Sequence, residues 1–113
     1  MTTINTTTAN TNTTNNVYVM LFPHSEYNGF DVFGGVFLAK EDAIAEYNKH
    51  NHNDRYPIAE TLVKEDEKYG VTFILPIHDK ERIEEIKEEF ENDAHDAAYY
   101  YGGYIIRRIN MKR

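Results

Sequence analysis

The chain has 113 residues and no cysteine, and its 12 basic against 19 acidic residues give a formal net charge of -7. This length accommodates one domain, and the missing cysteine excludes disulfides, thiolate nucleophiles and cysteine-ligated metals while permitting a reducing cytoplasmic compartment. The acidic balance argues against a protein whose main work is neutralising phosphates, so neither direct nucleic-acid binding nor a membrane partner is expected.

Residues 1–16 are almost wholly Thr and Asn, with no basic n-region and no apolar core. They do not read as a signal or transit peptide, and they offer no buried face to offset the ordering entropy of about 1–2 kcal/mol per residue. The segment is expected to be a disordered leader. The domain is expected over residues 17–110, with a basic tail at 111–113.

The first element is the run Val17-Tyr18-Val19-Met20-Leu21-Phe22, closed by Pro23, whose density of β-branched and aromatic residues predicts a strand buried on both faces. Asn28-Gly29 is a turn signal, and a second strand is expected from Val32 to Leu38. Gly34-Gly35 inside that strand suggests a bulge or a close backbone approach. From Lys40 the period changes, with Ala43, Ile44 and Tyr47 on one face of a helix of about three turns. A third strand is expected over residues 58–63 and a turn over 65–70, followed by a return strand, Val71 to Leu75. Asp79 is placed to cap a second helix, whose stripe of Ile83, Ile86, Phe90, Ala94, Ala97 or Ala98, and Tyr101 predicts an unbroken run from Lys80 to Tyr101. Gly102-Gly103 stops it, and Tyr104 to Ile109 forms the last strand.

The order ββαββαβ contains a βαββαβ unit, so the expected fold is α+β: a ferredoxin-like sandwich with one extra strand, a mostly antiparallel sheet and two helices on one face. The segment Gly35-Val36-Phe37-Leu38-Ala39-Lys40-Glu41-Asp42-Ala43-Ile44 resembles a strand-into-helix junction of small uncharacterised phage, viral and bacterial domains. The resemblance implies a viral or bacterial α+β domain and brings no catalytic residues. The Thr/Asn leader resembles those of amoebal giant virus and social amoeba proteins, which would place the chain in a host cytoplasm or a virion.

Two groups of residues stand out as interaction candidates. Residues 79 to 96 carry nine carboxylates against three bases, leaving most of the net charge on one helix, with Glu84, Glu85, Glu88 and Glu89 at its centre. Such a face suits a basic partner, as in an inhibitor presenting a nucleic-acid-like surface, or it is simply the solvated side of an amphipathic helix. Tyr99, Tyr100 and Tyr101, with Tyr104 beyond the glycines, form the second group. Adjacent helical residues point about 100° apart, so at least one ring must face solvent, where tyrosine commonly anchors an interface.

His50, His52 and Asp54 alternate after the first helix, but without a third histidine or an HExxH pattern they read as a helix-terminating loop, and no metal or cofactor is expected. His24, His78 and His95 could join that group only through tertiary structure, and the pairs His78-Asp79 and His24-Glu26 offer acid/base material without a recognisable catalytic motif. The leading expectation is a non-enzymatic module that self-associates or docks a protein partner through its tyrosines or a sheet edge. The acidic inhibitor is the alternative, and a small enzyme or ligand-binding domain a third.

Overall fold

The computed structural model describes residues 15–24, 29–51 and 53–111. Most of the Thr/Asn leader, the turn residue Asn28, and Lys112 and Arg113 of the tail lie outside the described residues. The elements in chain order are β1 (Asn16–Pro23), β2 (Phe30–Phe37), α1 (Lys40–His50), β3 (Glu60–Asp66), β4 (Val71–Ile77), a 3-10 turn (Lys80–Arg82), α2 (Ile83–Asn92), α3 (Ala94–Tyr100) and β5 (Tyr104–Asn110). The five strands of the described residues form one sheet in the order β2-β1-β5-β4-β3, with every neighbouring pair antiparallel. Among the described residues no helix is long and apolar enough to cross a membrane.

The α+β class and the antiparallel sheet agree with expectation, but the ferredoxin-like sandwich does not. The last strand, β5, sits at the centre between β1 and β4 and runs antiparallel to both. The helices also divide between the two faces of the sheet. Ala43 of α1 packs with Met20, Ile74, Tyr104 and Ile106, whereas Ile86 and Phe90 of α2 and Ala94 and Ala97 of α3 pack with Leu62, Leu75 and Ile77. Successive strand residues point to opposite faces. Ile74 and Leu75 are both fully buried, so β4 must be covered from both sides.

The long second helix is broken. Asp93 has extended backbone, its N–H donates to Glu89 (2.9 Å) to close α2, and its carboxylate accepts from the Asp96 N–H (3.1 Å) to open α3. Asp competes well for such a capping role and poorly for a helix interior. The break lets α2 follow β3 and β4 while α3 crosses to β4 and β5. Asp79 caps the 3-10 turn as expected, accepting from the Glu81 N–H (3.0 Å). At the far end Gly102 adopts a left-handed φ of 85°, and the Gly103 N–H reaches back to the Ala98 carbonyl (2.6 Å), a Schellman-type stop.

β3 begins later than expected, at Glu60, and is set by its register against β4, in which Asp66 faces Val71 and Glu60 faces Ile77. β4 runs through Pro76 because β5 reaches along it only as far as Ile74. The proline therefore stands where β4 has a strand on one side alone, the situation in which proline is tolerated. The first strand is not buried on both faces: Met20 is buried, but Val17, Val19 and Leu21 on the α2–α3 side are only half-buried.

Tyr104 lies at the heart of the α1-side core, stacked on Tyr47 (4.4 Å between ring centroids, 28° between planes) with Phe22 beside it. Its hydroxyl is buried without a hydrogen-bond partner among the described residues, and burial, with Tyr47 as a lesser cause, holds its phenol well above the ordinary tyrosine range. Because the folded state keeps this proton more tightly than the unfolded chain, stability is full below about pH 10 and falls as pH rises above it. Tyr104→Phe removes the uncompensated hydroxyl and keeps the ring, so urea melts should show a gain of about 1 kcal/mol at neutral pH. The same variant should show a shallower alkaline loss.

Candidate interaction surface

The sheet has two edges of opposite character. On β3 the charges Glu60, Lys64, Glu65 and Asp66 fall along the strand, and several are tied to the helices. Lys87 of α2 pairs with Glu60 (2.9 Å), Lys40 of α1 with Glu65 (3.0 Å), and the Lys64 ammonium donates to the Glu91 carbonyl (2.8 Å). An edge dressed with charge resists pairing with another strand.

β2, the opposite edge, reads Phe-Asp-Val-Phe-Gly-Gly-Val-Phe and carries one charge, Asp31. Phe33 is 67% exposed, Val36 54%, and Leu38 just beyond the strand 75%. The glycine pair produces the expected bulge: Met20 pairs with Gly35 and Leu21 with Phe33, leaving Gly34 as the extra residue. Gly35 has φ 138°, and a Cβ on Gly34 would run into the Phe22 ring and Met20. In a regular strand, residues three apart point to opposite faces. The bulge puts Phe33 and Val36 on the same one, opposite Leu21 and Val19.

Among the described residues that face is largely uncovered at this end. The helices α2 and α3 stand mainly over β3, β4 and β5, and α3 reaches only the near end of β1 and β2, where Leu21 and Phe30 join the cluster around Ala98 and Tyr99; beyond it, among the described residues, the apolar strip of Phe33, Val36, Val19, Val17 and its partner Ile109 has no helix packed on it. The glycine bulge is legible in the sequence but its effect is not, and Phe33 and Val36 are not among the expected site residues. The available signal was two large apolar residues on either side of Gly-Gly.

The expected tyrosine cluster is dispersed. Tyr100 is 81% exposed, edge-on to Tyr101 (5.5 Å, 90°). Tyr99 is half-buried, donating its hydroxyl proton to the His24 carbonyl (2.9 Å) with its ring against Phe30. Tyr101 donates to the Glu89 carboxylate (2.7 Å) and lies under the Arg82 guanidinium (5.6 Å), while Tyr104 is fully buried. The hydrogen bond to Glu89 and partial desolvation raise the Tyr101 phenol above its ordinary value.

The four central glutamates lie on the exposed side of α2. Glu85 forms a two-point pair with Arg82 (3.1 and 3.3 Å), which lowers its carboxyl below the ordinary range, and Glu89 is held by Tyr101. Glu84 stands 3.9 Å from Lys87, and Glu88 is exposed. Pairs so exposed contribute little to stability.

The histidines are scattered. His50 meets Glu46 (2.6 Å) on its own helix, His78 contacts the Tyr56 carbonyl (2.7 Å), and His95 lies edge-on to Phe30 and Phe73. His52 and Glu26 fall outside the described residues, and among those described no three His, Asp or Glu side chains are grouped to hold a metal. Asn53 makes the turn after α1, its side-chain oxygen accepting from the N–H groups of Arg55 (2.9 Å) and Tyr56 (3.3 Å).

No protein-family model, no curated protein and no solved structure matches the chain.

Proposed function

We propose that this chain is an interaction module that self-associates, with β2 of one copy lying antiparallel to β2 of a second about a two-fold axis. The observation that carries the reading is the contrast between the two edges: charged and tied down at β3, apolar and, among the described residues, bare at β2. A two-fold brings the same strand against itself, so Phe33 and Val36 of both copies meet along one strip.

The charge distribution is compatible with that arrangement. α2 lies over β3 and β4, three to four strands from the β2 edge. At about 4.8 Å per strand the two acidic helices of a dimer would stand roughly 30–40 Å apart, several times the ~8 Å screening length at physiological salt. The carboxylates therefore do not oppose pairing at this edge, whereas an interface through α2 would bring like charges together.

The test is sedimentation velocity at tens of micromolar, with two variants. Phe33→Lys combined with Val36→Lys puts two charges on exposed positions, where substitution changes folding stability by no more than about 0.5 kcal/mol. It should turn a dimeric wild type into a monomer, weakening association at least ~100-fold. Tyr100→Ala should leave the dimer unchanged. A wild type that stays monomeric, or a dimer lost with Tyr100→Ala and kept in the lysine variant, would refute the edge as the interface.

A further inference from the structure

On the α2–α3 face a crevice of about 410 Å³ opens beside α3, reaching from β3 to the first residue of β2. Its apolar lining comes from Val71 and Phe73 of β4, Ile105 of β5 and Phe30 at the start of β2; its polar lining is Asp66, Tyr69, His95 and Arg107. This volume lies within the range of small-molecule sites, as does the mixture of apolar walls with a few convergent polar groups.

The arrangement of charge narrows the ligand. Asp66 pairs with Val71 and Val71 with Arg107, so the carboxylate and the guanidinium stand on one face of the sheet, one strand to either side of a buried valine. Among the described residues neither forms an ion pair or a side-chain hydrogen bond, with the other or with any third group. A simple anion attracted by Arg107 would meet Asp66, and a simple cation the reverse. A ligand carrying both signs close together satisfies both. The aromatic lining adds a second requirement: the Phe30 and His95 rings meet edge to face (5.3 Å, 89°), and Phe73 approaches His95 similarly (6.1 Å, 75°). A further ring adds favourably to such an edge-to-face group.

We infer that this crevice is a binding site for a small aromatic zwitterion of the free α-amino acid class, its ammonium toward Asp66, its carboxylate toward Arg107 and its ring against Phe30, Phe73 and His95. β2 contributes only Phe30, whose ring packs against Tyr99 of α3, whereas the proposed pairing rests on the exposed Phe33 and Val36 further along the strand. The larger hollow on the outer side of α3, about 600 Å³ and lined by Glu89, Asp93 and Asp96, is a weaker candidate because Glu89 and Asp93 are already engaged by Tyr101 and by the α3 cap.

The experiment is an amide-resolved NMR titration of the full chain with three probes: phenylalanine, 3-phenylpropionate, which lacks the ammonium, and phenethylamine, which lacks the carboxylate. Phenylalanine should give saturable shifts at Val71, Phe73, His95 and Ile105 below about 10 mM, with each one-charge probe at least ~10-fold weaker. Arg107→Met should lower phenylalanine affinity to that of phenethylamine, and Asp66→Asn to that of 3-phenylpropionate. The spectrum of each variant reports directly whether it is folded. The inference is overturned by absence of saturable shifts up to about 10 mM, or by equal affinity for all three probes, which would signify apolar contact alone.

Discussion

Truncating Ile74 and truncating Leu75 to alanine are each expected to cost about 2–5 kcal/mol of folding stability, although the two residues are adjacent on one strand. Ile74 belongs to the cluster under α1 with Met20, Tyr104 and Ile106, and Leu75 to the cluster under α2 and α3 with Leu62, Phe90 and Ala97. Both are fully buried, so each deletion leaves a cavity walled by packed neighbours that close it only in part. If both helices lay on one face, one of the two would point to solvent and its truncation would cost little. Urea denaturation of the single variants therefore distinguishes two covered faces from one. A cost under about 1 kcal/mol for either would contradict the arrangement. Val63 of β3, more than half exposed, is the internal control, and its change to alanine should stay within about 0.5 kcal/mol.

Gly103→Ala is expected to be at least as damaging, at about 3 kcal/mol or more, and to leave little folded protein at 37 °C. A Cβ at this position would run into the Ile74 carbonyl oxygen and lie 3.1 Å from the Cα and Cβ of Ala98. These are backbone atoms and a buried methyl, so no rotamer change relieves the overlap. The Gly103 N–H also makes the 2.6 Å hydrogen bond to Ala98 that ends α3, so moving the loop outward gives up the cap as well. Circular dichroism with a urea midpoint checks this, and a midpoint equal to wild type would show that α3 does not sit against β4 as closely as described.

Much of the fold was legible because it is written locally. The strand and helix periods, the Asp79 cap, the Gly34-Gly35 bulge and the glycine stop after α3 each rest on a few neighbouring residues. The helix break at Asp93 was masked by its own apolar stripe: Phe90, Ala94 and Ala97 keep spacings of four and three across it, so the pattern does not register the interruption. The strand order was hidden for a different reason. Placing β5 between β1 and β4 depends on pairings such as Met20 with Ile106 and Phe73 with Ile105, which no local period encodes.

The division of the helices between two faces had one trace in the sequence, the near-continuous apolar run of β4, which is the mark of a strand covered on both sides. Sequence reasoning assigned that property to β1 instead. β1 is equally apolar, but the α2–α3 layer reaches it only at Leu21, and exposure depends on where a layer ends. The same fact makes Phe33 and Val36 surface residues. Of the residues singled out from sequence, Tyr100, Glu84 and Glu88 keep exposed side chains that make no hydrogen bond among the described residues, whereas Tyr99, Tyr101, Tyr104, Glu85 and Glu89 are bound into local contacts or the core.

The proposed covering of β2 by a second copy of itself is tested most directly by amide hydrogen exchange along Phe30–Phe37 at low and high protein concentration. Edge pairing predicts that β2 amides pointing away from β1 exchange quickly in dilute solution and slow by at least ~10-fold at high micromolar concentration, while amides of the β3 edge do not change. Exchange along β2 that is independent of concentration would contradict it.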